Sequence, residues 1–164
     1  MSAINLCLVG LTRNFTDDIC RKLAMHLEMF YADAQDLVDY ELNVEDMEKI
    51  CGKDYLLKKK KSSIFNIFSY ENAVINLDYA FLNDREIYEH VKSKSLIIFL
   101  KMDKPKFLTE LDRENLTSSV KMINTDLFED RQKILENLSH ITVVFKSDDT
   151  IIEDIEKKLI NYYR

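Results

Sequence analysis

The stretch Gly10–Asp18 (GLTRNFTDD) is the first place in this 164-residue chain where residue types and spacing bear on chemistry. It follows an apolar run, Ala3–Gly10 (AINLCLVG), and leads into a segment with helical spacing. A strand that delivers a glycine to the start of a helix makes a natural phosphate site. Free backbone N–H groups and the positive end of the helix dipole converge there. A nucleotide phosphate loop also needs closely spaced glycines, then a lysine and a hydroxyl residue. Gly10 and Gly52 are the only glycines in the chain. An ordinary ATP-binding loop is therefore not expected.

Other chemistry-bearing residues have plainer readings. Lys58–Lys61, beside Lys53, is the densest charge cluster. Four successive residues of a helix point in four directions, so a solvated turn whose stems cover Ile64 and Phe65 is expected. Docking of an anionic partner is the alternative. His26, His90 and His140, with Cys7, Cys20 and Cys51, show no paired ligand spacing, so no metal site is expected and the thiols read as free, in a cytoplasmic protein. The acidic stretches Glu41–Glu48 and Asp148–Glu156 match no calcium loop and read as solvated helix starts. No Gly-x-Ser-x-Gly nucleophile motif is present.

The elements that must position these residues alternate strand and helix. Strands are predicted at Ala3–Gly10, Met29–Asp33, Ala73–Leu77, Leu96–Lys101 and Ile141–Lys146. Thr16 is the expected N-cap of the first helix, with Asp17 and Asp18 in its first turn and Ile19, Leu23, Ala24 and Leu27 on its apolar face. Further helices are expected near Gln35–Glu41, Val44–Cys51 (closed by Gly52), Lys53–Tyr70, Asn83–Lys92, from Pro105, at Asp126–Leu138 and at Ile151–Tyr162. Asp112–Asn124 is polar and breaker-rich, and reads either as a lid or as an ordinary connection. Five strands alternating with helices predict a three-layer α/β fold with a mainly parallel sheet, in one domain spanning 1–164.

Composition narrows the function classes. The chain is 46% hydrophobic, enough for one good core, and its net charge of −6 argues against nucleic-acid or anionic-membrane partners. The apolar start is too short to span a membrane, and no signal-peptide pattern precedes it. The aromatic series Phe65, Phe68, Tyr70, Tyr79 and Phe81 is expected to pack in a core rather than line a cleft, since Ile64, Phe65 and Phe68 share a helical face.

The order of elements and the opening INLCLVGL resemble shikimate kinases and their small-molecule kinase relatives, along nearly the whole chain. The resemblance implies a P-loop kinase-like fold with a five-stranded parallel sheet, ATP and Mg as cofactors, and a small polyol substrate. In that family the first strand runs into G-x-x-G-x-G-K-[ST]. Aligned on Gly10, the later glycines fall on Arg13 and Phe15, the lysine on Thr16 and the Mg-binding hydroxyl on Asp17. Side chains at Arg13 and Phe15 crowd a backbone that must approach phosphate, and Asp17 and Asp18 place carboxylates where the phosphate would lie. The family's Asp-x-Asp becomes Asp33 and Gln35, so the resemblance carries substrate or Mg contact only to the first. Its substrate arginine falls on Leu57 and its following glutamate on Lys60. Its triple glycine falls on Asp78, Tyr79 and Ala80, while Arg131 keeps an arginine position and Arg113 stands nearest to the lid arginine.

Architecture retained with chemistry replaced predicts a protein that has lost ATP binding and phosphoryl transfer and acts as a binding or regulatory module for a small anion or a protein. A divergent small-molecule kinase is the alternative, working through Arg13, Asp33, Arg131 and the Lys58–Lys61 cluster. A scaffold using the aromatic, lysine-rich helix is a third reading.

Overall fold

The computed structural model describes residues 4–41 and 49–164. The expected stretch 44–51 is helical over residues 49–51, and its remainder lies outside the described residues, as does most of the acidic run 41–48. Five parallel strands, β1 (Asn5–Val9), β2 (Phe30–Asp33), β3 (Ala73–Asn76), β4 (Ser95–Lys101) and β5 (Ile141–Val144), form one sheet in the order β2-β3-β1-β4-β5. The helices are α1 (Arg13–Leu27), α2 (Ala34–Glu41), α3 (Lys53–Ile67), α4 (Arg85–Lys94), α5 (Lys104–Arg113), α6 (Ser118–Asp126), α7 (Phe128–Leu138) and α8 (Ile151–Tyr162). A 3-10 turn covers Tyr79–Asn83.

The apolar runs of β1 and β4 become the buried centre of the sheet, as continuous rather than alternating hydrophobicity requires. Their side chains divide between two cores. Leu6, Leu8, Leu96, Ile98 and Leu100 pack with Phe15, Ile19 and Leu23 of α1, whereas Cys7, Val9, Ile97 and Phe99 pack with Ile64, Ile67 and Val91 on the opposite face. Asn5, also buried, fixes the entry to β3 by accepting from the Ala73 N–H at 3.0 Å and donating to the Tyr70 carbonyl at 2.5 Å. Of the aromatic series Phe68 is buried, Phe65, Tyr79 and Phe81 are half-buried against the same core, with the Phe65 ring tilted over His90 at 4.4 Å, and Tyr70 is exposed.

Most element ends shift by one or two residues from expectation, and the larger differences lie in the helices. α1 begins at Arg13, with Thr12 as its N-cap, so Thr16, Asp17 and Asp18 lie in the second turn and no acid stands in the first. α3 ends at Ile67 instead of Tyr70. Within the polar stretch Asp112–Asn124 a helix, α6, forms; the Thr117 hydroxyl caps it by accepting from the Val120 N–H at 3.3 Å. Both glycines have physical reasons. A Cβ on Gly10 would lie 2.3 Å from Thr16 Oγ1, so close approach demands glycine there. Gly52 precedes α3 with φ of +84°, in open space, so its reason is the backbone angle.

Candidate functional site

In an open parallel sheet, ligands bind beyond the carboxyl ends of the strands. Here Gly10, Asp33 and Asn76 arrive at that edge from β1, β2 and β3. The β1–α1 connection is only Gly10–Thr12, because α1 starts at Arg13. Thr16 does not cap; its hydroxyl donates back to the Thr12 carbonyl at 2.9 Å, inside the helix. The Thr12 hydroxyl is buried without a hydrogen-bond partner. Phe15 is a core residue, edge-on to Phe145 at 4.9 Å, with the Lys106 ammonium 5.3 Å from its ring centroid. These contacts bind the first turn of α1 to α5 and to the chain following β5.

The carboxylates of Asp17 and Asp18 point elsewhere than expected. Asp17 accepts from the Tyr31 hydroxyl and from Arg21 Nε at 3.0 Å. Asp18 pairs with Arg113 at 3.1 Å. The anion at the start of α1 is instead Glu114, from the end of α5, which accepts from the Asn14 N–H at 2.8 Å. Asn14 Nδ2 donates to the Arg113 carbonyl at 3.2 Å, and Arg113 also holds the buried Glu110 at 2.6 Å. Arg113, the nearest match to a lid arginine, is thus part of a latch between α5 and α1.

Asp33 is buried and three donors converge on it. Arg13 Nη2 lies at 3.1 Å, the Asp36 N–H at 2.9 Å, and Asn76 Nδ2 at 2.9 Å. The Asp36 contact is the N-terminal cap of α2. Arg13 also reaches Asp36 at 2.5 Å. Burial works against the Arg13 charge, but hydrogen bonds and attraction from Asp33 and Asp36 outweigh it and hold its pKa above the ordinary value. Gln35 does not join them; it donates to Asp39 at 2.8 Å along α2.

Arg131 approaches from α7. Its guanidinium donates to Asn124 Oδ1 at 2.6 Å and lies 5.2 Å from the Tyr79 ring centroid, with no carboxylate partner among the described residues. Burial raises the Tyr79 pKa, opposed by Arg131 and assisted by Asp78. Gly10, Arg13, Thr16, Asn76 and Tyr79 border a cavity of about 50 Å³. The lysine cluster is split: Lys61 pairs with Asp84 at 3.0 Å and Glu86 at 2.8 Å, while Lys59 lies 5.6 Å from the Tyr55 ring. Among the described residues no three His, Cys, Asp or Glu side chains gather where they could hold a metal. The three cysteines are free, Cys7 and Cys20 buried and Cys51 exposed.

Sequence reasoning thus locates Gly10, Arg13, Thr16 and Asp33 at one edge, with Arg131 reaching it through Tyr79. It misses Glu114, Asn14 and Asn76. Asn76 carries a readable signal, a polar residue at the carboxyl end of an apolar strand. Glu114 lies 100 residues from its partner and carries none.

No protein-family model matches the chain, and no curated protein does so. Solved structures do match. Shikimate kinase from Aquifex aeolicus superposes with a TM-score of 0.74 at 19% identity, covering 98% of each chain. Shikimate kinase from Acinetobacter baumannii, in complex with shikimate, gives 0.75 at 14% identity over 98% of this chain and 93% of that one. A gluconokinase from Sinorhizobium meliloti gives 0.58 at 13%, over 99% and 98%. The chain has the fold of shikimate kinases and related small-molecule kinases.

Proposed function

We propose that this protein is a binding or regulatory module built on a kinase fold, without ATP binding or phosphoryl transfer. The observation that carries the reading is the start of α1. The helix begins at Arg13, so Arg13 and Phe15, the positions aligned with the later phosphate-loop glycines, are helical. The Asn14 N–H is already taken by the Glu114 carboxylate. Phosphate recognition needs unpaired N–H groups and a cation at that end. The nearest cation, Arg13, is held by Asp33 and Asp36.

Size points the same way. Ligand pockets for small molecules occupy about 300–1,000 Å³, and the space beside Gly10 is about 50 Å³. ATP does not fit these residues. Mg fits no better, because three protein donors already surround Asp33. Calorimetric titration with Mg-ATP tests the reading. No saturable heat is expected, and binding in the micromolar range would overturn it.

One observation favours the kinase alternative. Arg131 has no carboxylate partner among the described residues and stands over Tyr79 at the cavity rim. Shikimate and gluconate are the substrates to try, given the proteins this chain resembles in fold. ADP release with either compound, abolished by Arg131→Ala, would establish this alternative.

A further inference from the structure

A cavity of about 510 Å³ opens at the amino ends of the strands, opposite the Gly10 edge. Its volume falls inside the range of small-molecule sites. Ile4 and Leu96, at the starts of β1 and β4, belong to its apolar part, and Tyr162 and Tyr163 at the end of α8 supply aromatic faces. The two tyrosine rings meet edge-on at 5.3 Å, and Tyr162 stands 6.2 Å from His140 in the same geometry.

The polar side of this cavity is cationic in a chain of net charge −6. Lys92 and Lys94, from the last turn of α4, line it, and neither makes an ion pair among the described residues. Glu71 is the one carboxylate in the lining. The helix dipole accounts for lysines at a helix C-terminus. It does not account for their being gathered with two histidines around an open space.

Both histidines are short of partners. His140 Nδ1 accepts from the Ile97 N–H at 2.9 Å, which fixes the neutral tautomer with its proton on Nε2. That Nε2–H has no protein acceptor among the described residues. His90 Nε2 is buried with no hydrogen-bond partner. Burial first, and the Lys92 charge second, hold the His140 pKa below its ordinary value. Lys92 and His140 line the same cavity, and the Lys92 ammonium opposes a positive charge on the His140 ring.

We infer that this cavity is a binding site for a small ring-bearing oxyanion, its charged group held between Lys92 and His140 and its ring against Tyr162. A charged oxygen there accepts from the Lys92 ammonium and from the His140 Nε2–H, and the ring replaces water on the exposed tyrosine faces. The inference is independent of whether the Gly10 edge binds ATP.

Phenyl phosphate and benzoate are the probes, with inorganic phosphate as the ringless comparison, followed through the His140 ring signals by NMR. Saturable shifts with a ring-bearing probe, accompanied by a rise in the His140 pKa, are expected. The two probes separate a phosphate from a carboxylate preference. Lys92 is exposed, so Lys92→Met should fold normally and weaken binding about tenfold, while Lys59→Met should change nothing. Three results would overturn the site: no saturable shift from either probe up to about 10 mM, equal binding to Lys92→Met, or inorganic phosphate binding as well as phenyl phosphate.

Discussion

Replacing Asp33 with alanine separates two roles for the one acid that the family resemblance retains. If Asp33 is kept for a ligand, removing it should leave the fold nearly as stable as before. The structure makes it a pivot among β2, β3, α1 and α2. Losing the cap of α2 costs about 1 kcal/mol. Stranding the buried Asn76 amide costs about 1–3 kcal/mol. The Arg13 pair adds only about 0–1 kcal/mol, because its guanidinium is two-fifths exposed and keeps Asp36. The expected total is about 3 kcal/mol, or about 6–12 °C in melting temperature for a chain of this length. Urea unfolding followed by circular dichroism measures it. Asp33→Asn should fall between, since one oxygen still caps α2 while the new NH2 opposes a donor. A loss below about 0.5 kcal/mol for the alanine variant, the range of featureless surface changes, would refute the pivot.

Two further outcomes follow from close contacts. Gly10→Ala should destabilise the protein by about 1–3 kcal/mol, since its Cβ meets Thr16 Oγ1. Gly10→Ala combined with Thr16→Ala should recover much of that, and additive losses in the double variant would show the clash is not the cause. Stability should also fall as pH drops through 6.5. The folded-state pKa of His140 is lowered by burial and then by Lys92, so the unfolded chain binds more protons in the window below 6.5. That contribution is complete above 6.5 and is lost on acidification, together with the bond from the Ile97 N–H. His140→Gln should flatten the dependence in that window, and an unchanged slope would count against the assignment.

The sheet is legible in the sequence because burial on both faces leaves continuous apolar runs at β1 and β4. Helix α8 is legible because Ile151 and Ile155, with Ile152 and Leu159 beside them, keep one face in the core. The start of α1 is not. Thr16 followed by two acids has the local look of a helix start, but the ties that extend the helix back to Arg13 are tertiary. Phe15 packs on Phe145, Arg13 reaches Asp33 and Asp36, and Glu114 serves the Asn14 N–H. Helix α6 escapes for a different reason: none of its residues is buried. Leu116, Val120, Ile123 and Leu127 do recur at helical spacing, and that periodicity is the signal available for it. The site chemistry divides in the same way. Which residues align with the phosphate-binding set of the family that the sequence resembles can be read from position alone. Where Asp17 and Asp18 direct their carboxylates depends on Tyr31, Arg21 and Arg113.

The claim that the Gly10 edge is closed to nucleotide is tested most directly by the melting temperature of the full chain with and without Mg-ATP. A ligand at a hundred times its dissociation constant stabilises a protein by about 2.7 kcal/mol, which for this length is a rise of about 5–11 °C. With about 1 mM Mg-ATP, a site of about 10 µM affinity would reach that ratio. An unchanged melting temperature is predicted. A rise of several degrees that Glu114→Gln enlarges would contradict the account, because it would place the nucleotide at the start of α1.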